Sequence, residues 1–166
     1  MEIKIKKLDE TAKLPTRGSE QAAGYDLYAL ERTEVECGKT AKIRTGVAVA
    51  IPEGYFGAIY ARSGLAAKQG LRPANCVGVI DSDYRGEVIV ALHNDNPPAL
   101  IQDIPVSAHA VQHAAVPNPN PSYTVEMGER VAQLVIQKYE EVNFVEVDEL
   151  EESERGEGGF GSTGTN

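Results

Sequence analysis

Four short stretches of the chain carry residues with chemical capacity at usable spacings. "RSGLAAKQG" (62–70) opens with a cation and a hydroxyl, Arg62 and Ser63, and continues through the helix formers Leu65 to Lys68 to a glycine stop at Gly70. Ser63 is the expected N-cap of a helix of about two turns. The first N–H groups of such a helix can face an anion, although a small helix plugging the end of a β core would use the same residues. "VIDSDYRGEV" (79–88) sets Asp81, Asp83 and Tyr84 in a polar turn between two apolar arms, the pattern of a tight β-hairpin. His109 and His113 stand at i, i+4, a spacing that can grip a metal. However, "HAVQH" lacks the glutamate of the zinc-protease motif and no third ligand is evident, so the pair reads as two solvated histidines. The tail "RGEGGFGSTGTN" (155–166) has five glycines in twelve residues, too many to hold one conformation unaided, yet it carries Arg155, Phe160, Ser162 and Thr163.

The elements that must position these residues are mostly strands. In "AKIRTGVAVAI" (41–51) the odd positions from Ala41 to Ile51 form one face, with Lys42 and Arg44 on the other, as expected of a half-buried strand. "EIKIKKL" (2–8) alternates in the same way. "EVIVAL" (87–92) and "VAQLVI" (131–136) are nearly continuous apolar runs that suggest strands covered on both faces. Turn signals at 51–55, 83–87 and 126–130 separate them, and many short strands with Gly/Pro punctuation point to a β-sandwich, jelly roll or barrel. One stretch interrupts this pattern, residues 95–127, longer than the usual strand connection. Its middle, "VSAHAVQHAA" (106–115), is helix-competent and "VPNPNPS" (116–122) is a proline-broken linker, so the whole reads as a surface insertion in a β core.

A chain of 166 residues, 42% hydrophobic and 25% charged, is the size and composition of one globular domain. Its net charge of −9 argues against broad contact with nucleic-acid backbone but leaves room for a small polyanion held by local arginines or a metal. No apolar run approaches the ~20 residues that span a bilayer. "MEIKIKKLDE" has no apolar signal region, and Cys37 and Cys76 read as free thiols, so the expected compartment is the cytoplasm.

Five segments occur in order: "AAGYDLYA" (22–29), "ARSGLA" (61–66), "NCVGVIDSDYRGEV" (75–88), "GERVAQLVI" (128–136) and "RGEGGFGSTG" (155–164). Together they closely resemble the five motifs of the trimeric dUTP diphosphatases (dUTPases), and the resemblance covers nearly the whole chain apart from the insertion. It implies an all-β fold, a jelly-roll-like distorted β-barrel with one short helix. It further implies a homotrimer with three active sites between subunits, each completed by a C-terminal arm, and hydrolysis of dUTP to dUMP and pyrophosphate with Mg²⁺. The expected organisation is a barrel over 1–150, with the 95–127 insertion within it, and a Gly-rich arm over 151–166.

The resemblance assigns roles residue by residue. Arg62 and Ser63, with Gly64 beside them, and Gln133 in the fourth motif would contact phosphates; a triphosphate needs such donors and cations. Asp26 would hold the metal through water, consistent with the few protein ligands that Mg²⁺ takes. Asp81 would be the general base that orients and deprotonates the attacking water, with Asp83 its close competitor by sequence. Tyr84 would pack under the deoxyribose and leave no room for a 2′-hydroxyl. Backbone groups around Val79, aided by Asn75, would match the acceptor at O4 and the donor at N3 of uracil; cytosine reverses both. In the arm, Phe160 would stack on uracil and Arg155 reach the terminal phosphates, while Gly161, Ser162 and Thr163 supply close approach and hydroxyl donors.

Two other readings meet the same residues. The dCTP deaminases resemble the barrel and carry R-S-S-L where this chain has "RSGL" (62–65), but the position of their catalytic glutamate, counted from Asp81, is Ala91 here. The insertion at 95–127 resembles that of some phage-encoded dUTPases that bind regulatory proteins, which implies a possible protein partner in addition to catalysis.

Overall fold

The alternating segments bury their apolar faces by closing two sheets around one core. A computed structural model describes residues 1–107 and 110–159. Its elements are β1 (Lys4–Lys7), β2 (Thr16–Arg17), β3 (Tyr25–Tyr28), β4 (Thr33–Glu36), β5 (Thr40–Arg44), β6 (Val47–Ala50), β7 (Tyr55–Ala61), α1 (Ser63–Gln69), β8 (Leu71–Pro73), β9 (Gly78–Ile80), β10 (Ile89–Asn94), β11 (Ala99–Ser107), β12 (Ala110–Pro117), β13 (Ser122–Val125) and β14 (Arg130–Lys138). A five-stranded sheet in the order β2-β3-β14-β7-β9 and a three-stranded sheet β5-β10-β8 form the main walls, extended by the pairs β1-β6 and β13-β4. Leu27 and Leu134 from the first wall share a core with Ile43, Val90 and Leu92 from the second. This is the jelly-roll-like barrel with one short helix that the motifs imply. Among the described residues no helix is long and apolar enough to cross a membrane.

Several local expectations change. The predicted strand over 41–51 is two strands, because Gly46 turns the chain at φ 68°. There a Cβ would lie 2.8 Å from Ala12 Cβ and 2.9 Å from a Leu30 methyl, so only glycine fits. Ile43, Thr45, Val47, Val49 and Ile51 are nonetheless all buried, as the alternation requires. β1 pairs with β6 alone, and its residues are exposed rather than half-buried. β10 alternates between buried and open positions instead of being covered on both faces, while β14, flanked by β3 and β7, is buried mainly from Val131 to Leu134.

Residues 79–88 do not form a hairpin. β9 pairs with β7 and β10 pairs with β5 and β8, so the segment crosses from one wall to the other. An apolar–polar–apolar pattern fixes a turn but not the partners of the strands it joins. Within the helix-competent stretch 106–115 the described residues are strand as well: β11 and β12 pair antiparallel from Ala99↔Pro117 to Ser107↔Ala110. A helix this short has little stability without packing, and the facing run with Leu100, Ile101 and Ile104 offers backbone partners that helix propensity cannot outweigh. Pro105, lacking an N–H, lies at the start of a register shift in that ladder.

Candidate active site

The first cluster lies where β3, β14 and the start of α1 meet. Register puts Gln133 opposite Asp26 on one side and Tyr60 on the other. The Asp26 side chain is 5% exposed, with Arg62 Nε 3.2 Å from Oδ1 and Arg130 Nη1 3.2 Å from Oδ2. Gln133 Nε2 stands 3.5 Å from Oδ1, and Arg62 Nη1 donates to the Arg130 carbonyl at 2.9 Å. A buried carboxylate is tolerable when paired in this way. One carboxylate against two guanidiniums leaves a net positive charge, and Arg130 is half open to solvent. The arrangement suits an arriving anion, which would meet pre-aimed donors.

Arg130 is the residue that sequence reasoning missed. Strict alternation puts Arg130 and Gln133 on opposite faces, but the β3–β14 ladder shifts register between Arg130 and Ala132, and both side chains reach Asp26. The turn before Arg130 is fixed by Tyr123, whose hydroxyl donates to Glu129 at 2.7 Å. Burial, aided by that carboxylate, pushes the Tyr123 phenol up to about 12.

Arg62, not Ser63, is the N-cap of α1, in extended conformation, so the helix begins at Ser63, one residue earlier than expected; no side chain caps it. Leu65 anchors it in the core and Gly70 closes it at φ 66°. Ser63 and Gly64 are exposed, and the space beside Gly64 is open.

The second cluster is a pocket of about 230 Å³ lined by Asn75, Gly78, Val79, Asp81, Tyr84 and Glu87, among others. β9 ends its sheet, so one edge of its backbone is unpaired by any strand among the described residues and can read a planar ring by hydrogen bonds. Gly78 permits the approach of Asn75, since a Cβ there would lie 3.2 Å from Asn75 Nδ2. Asp81 and Tyr84 are exposed at the pocket, and the Tyr84 hydroxyl donates to the Glu87 carbonyl at 3.0 Å. Among the described residues no hydrogen bond or ion pair links the two clusters. On their shared sheet β7 separates β14 from β9, which sets those two backbones about 10 Å apart, with β3 and Asp26 one strand further.

Arg155 joins neither cluster; its Nε donates to the Gly158 carbonyl, 2.8 Å away, within the tail. Phe160, Gly161, Ser162 and Thr163 lie outside the described residues, as does His109, and His113 stands on β12 rather than on a helix. Ala91, the deaminase-like position, pairs with Lys42 and carries no acid. Among the described residues no three His, Cys, Asp or Glu side chains gather into a metal site.

A dUTPase family model matches residues 10–101 and 114–164, passing over 102–113. The deoxyuridine 5′-triphosphate nucleotidohydrolase of Thermobifida fusca is 41% identical over 98% of this chain and 78% of its own length. That of Corynebacterium diphtheriae is 41% identical over 99% and 93%. Among solved structures, the Staphylococcus bacteriophage 80alpha dUTPase with dUpNHpp superposes with a TM-score of 0.81 at 34% identity, covering 99% of both chains. The dUTPase of phage phi11 of S. aureus, noted for its species-specific insert, does so at 0.74 and 30%, covering 91% and 99%. A variant of the phi11 enzyme (TM-score 0.74, 29% identity, covering 92% and 100%) reveals the coordination of a structural Mg(II) ion. With a family match over most of its length and relatives 41% identical almost end to end, the chain belongs to the dUTPase family of enzymes.

Proposed function

We propose that the chain hydrolyses dUTP to dUMP and pyrophosphate, limiting uracil in DNA and supplying dUMP for dTMP synthesis. The observation that carries this reading is the pairing of a cationic cradle, Arg62 and Arg130 around Asp26 with Gln133 beside them, with an edge-strand pocket that holds Asn75, Val79, Asp81 and Tyr84. The cradle takes phosphate oxygens, with Ser63 and Gly64 at the start of α1. The pocket takes the nucleoside: unpaired backbone of β9 and Asn75 match uracil and leave cytosine with unsatisfied groups at ~1–3 kcal/mol each. Asp81 accepts a proton from water as the water oxygen bonds to the α-phosphorus and the bond to the bridging oxygen breaks, releasing pyrophosphate. Carboxylates as a class are weak bases at neutral pH, so Asp81 supplies orientation and a share of the ~10²–10⁴ usual for acid–base catalysis. Most of the acceleration comes from charge stabilisation and alignment.

The donor set fits a Mg²⁺ ion that arrives on the triphosphate rather than one caged by protein. Asp26 is a single hard oxygen ligand among cations, and once phosphate oxygens draw Arg62 and Arg130 toward themselves its carboxylate would be free to hold the ion through water. When bound, the ion neutralises phosphate charge.

Assembly into a homotrimer accounts for surface that one chain leaves uncovered. An apolar groove of about 420 Å³, lined by Ile3, Ile5, Leu14, Tyr25, Leu134 and Ile136, stands open. Beyond β14 the chain exposes Phe144 (97%) and Leu150 (87%). Copies that cover one another would also bring the two clusters of different chains together, with the arm from Arg155 onward, including Phe160, Gly161, Ser162 and Thr163, closing over the nucleotide. The free thiols of Cys37 and Cys76 suit a reducing, cytoplasmic setting.

Pyrophosphate release from dUTP, dCTP, dTTP and UTP, with wild type and Asp81→Asn, tests the reading. Preference for dUTP and a large loss in Asp81→Asn support it; no preference, or a full rate in Asp81→Asn, overturns it. Without an acid at Ala91, no ammonia should appear from dCTP.

A second role has its own observation. Among the described residues the β11–β12 pair joins no other sheet, and it exposes Ile101 and Ile104, in a stretch that the family model largely passes over. It is proposed as the docking surface for a regulatory protein. A partner retained equally by full chain and hairpin deletion would reject that role.

A further inference from the structure

We propose that Gly86 and Glu87 are positioning residues that hold the Tyr84 ring against the sugar pocket, and that through Tyr84 they set the preference for a 2′-deoxy sugar over ribose. The inference rests on the dUTP reading above. Its first observation concerns what a side chain at position 86 would meet. A Cβ there would lie 2.6 Å from Tyr84 Cζ and 3.0 Å from Cε2, and still closer to the hydroxyl oxygen. Unlike Gly46, Gly54 and Gly70, Gly86 is not among the residues of positive φ, so backbone conformation does not explain the glycine. The tyrosine ring does. It folds back over Gly86 and occupies the volume that any Cβ would need.

The second observation is what fixes the ring's far end. The Tyr84 hydroxyl donates to the Glu87 carbonyl at 3.0 Å, and Glu87 is pinned from both sides. Its carboxylate accepts the Gly46 N–H at 2.8 Å and Arg44 Nε at 3.1 Å, with 14% of the side chain exposed. The next residue is tied as well: Val88 N–H donates to the Val47 carbonyl at 2.8 Å, and Thr45 Oγ1 donates to the Val88 carbonyl at 2.5 Å. Glu87 therefore fastens the crossing segment to the corner between β5 and β6, and the carbonyl that receives Tyr84 cannot drift. Tyr84 is 45% exposed, so core packing does not hold it; its hydroxyl is tied to the anchored Glu87, and the missing side chain at Gly86 leaves the room that the ring fills. A wall that excludes a single hydroxyl works only if it cannot yield, and this ring is fixed at both ends.

In Gly86→Ala the ring, as the movable partner, swings away while the backbone stays. The ratio of kcat/KM for dUTP to that for UTP should fall roughly tenfold, about the effect of one relaxed wall in a shape-selecting pocket. Its thermal midpoint should stay within a few degrees of wild type. In a Tyr84→Ala background, Gly86→Ala should leave the ratio unchanged, because there is no ring to displace. Glu87→Ala should lower the ratio in the same direction, and Glu87→Gln, which still offers Gly46 an acceptor, should restore most of it. A merely structural role would scale both substrates alike. An unmoved ratio in Gly86→Ala and Glu87→Ala overturns the proposal, as does an equal fall with and without Tyr84. If Gly86→Ala does not fold, the Glu87 pair decides alone. A wild type that does not prefer dUTP to UTP overturns the dUTP reading itself; a selective wild type with unmoved variants overturns only this inference.

Discussion

Arg62 and Arg155 are both assigned to phosphate, and their surroundings are opposite. Arg62 leaves a strand that is paired on both sides, lies three residues before the core anchor Leu65, and meets a buried carboxylate at 3.2 Å. Arg155 follows a stretch from Glu140 to Glu154 in which every residue is exposed, and its described hydrogen bond goes to Gly158 in its own turn. The barrel wall thus aims its cation before any ligand arrives. If the arm closes on the nucleotide as proposed, its cation is ordered at the moment of binding, at an entropic cost of roughly 0.5–1.5 kcal/mol per rotamer-rich side chain. The division suits an enzyme that has to admit a highly charged nucleotide and then shut water out.

The contrast is tested most severely at its two largest effects. Asp81→Asn keeps the shape of the wall and removes its base, so kcat should fall by about 10²–10⁴ with little change in melting temperature. Single-turnover measurements check that the chemical step carries the loss. Removing residues 155–166 takes away an aromatic stack worth ~1–3 kcal/mol and charge-assisted hydrogen bonds worth ~1.5–3 kcal/mol. Turnover should drop roughly a hundredfold or more. The melting temperature should hold, because the arm from Glu140 to Glu157 buries no residue in the barrel. Unchanged turnover would break the comparison; a collapse of the melt would show the tail to be part of the core after all.

A finer cut separates aiming from charge. Asp26→Asn keeps the side-chain volume and leaves Arg62 and Arg130 without their counter-ion. If the wall works by pre-aiming its cations, kcat/KM for dUTP should fall about tenfold, the worth of one misdirected charge-assisted hydrogen bond. If the two arginines act only as bulk positive charge, the added net charge should strengthen binding instead. A KM series over salt concentration distinguishes these, since pre-aimed contacts at a partly buried site are screened less than an open field.

How much of this was legible follows the same division. The ordered motifs and the resemblance they carry, not residue types alone, assigned Asp26, Gln133, Asp81 and the arm; the structure gathers Asp26, Arg62 and Gln133 into one cluster and leaves Asp81 in another. Partners across long stretches of chain were not legible. Asp26 meets Arg130 over a separation of 104 residues, and only because a register shift on β14 turns Arg130 to the same side. Residues 79–88 read as a hairpin because turn chemistry says where the chain bends, not that β9 would choose β7. The strand over 41–51 broke at Gly46 for a reason that lies in Ala12 and Leu30, residues outside the segment. The predicted inner face survived that break from Ile43 to Ile51, but strict alternation did not, because Gly46 and Ala48 are buried as well.

The smallest expected effect concerns the second appendage, the β11–β12 hairpin, which exposes much of its described length but has a different physics from the arm. Its backbone groups satisfy one another along an eight-pair ladder, so it needs no ligand to be ordered and offers the barrel little. At its base Asn118 N–H donates to the Pro98 carbonyl at 2.9 Å, and Asn118 Nδ2 donates to the Pro97 carbonyl at 2.8 Å. The two stalks therefore leave the barrel one hydrogen bond apart. Replacing residues 99–117 by two glycines spans that gap without moving either stalk. It also spares the asparagine contacts that bind the base to α1, where Asn96 Nδ2 donates to the Gln69 carbonyl at 2.6 Å. The apolar core of the barrel stays whole, so the change in stability should remain within about 0.5 kcal/mol. Hydrolysis of dUTP should stay within about twofold of wild type, a free-energy change near RT ln 2 or ~0.4 kcal/mol. Steady-state assays and a melt on the same preparation measure both. A loss of turnover comparable to that of the arm truncation would mean that the hairpin, too, is a wall of the site, and exposure would then say nothing about which appendage serves catalysis.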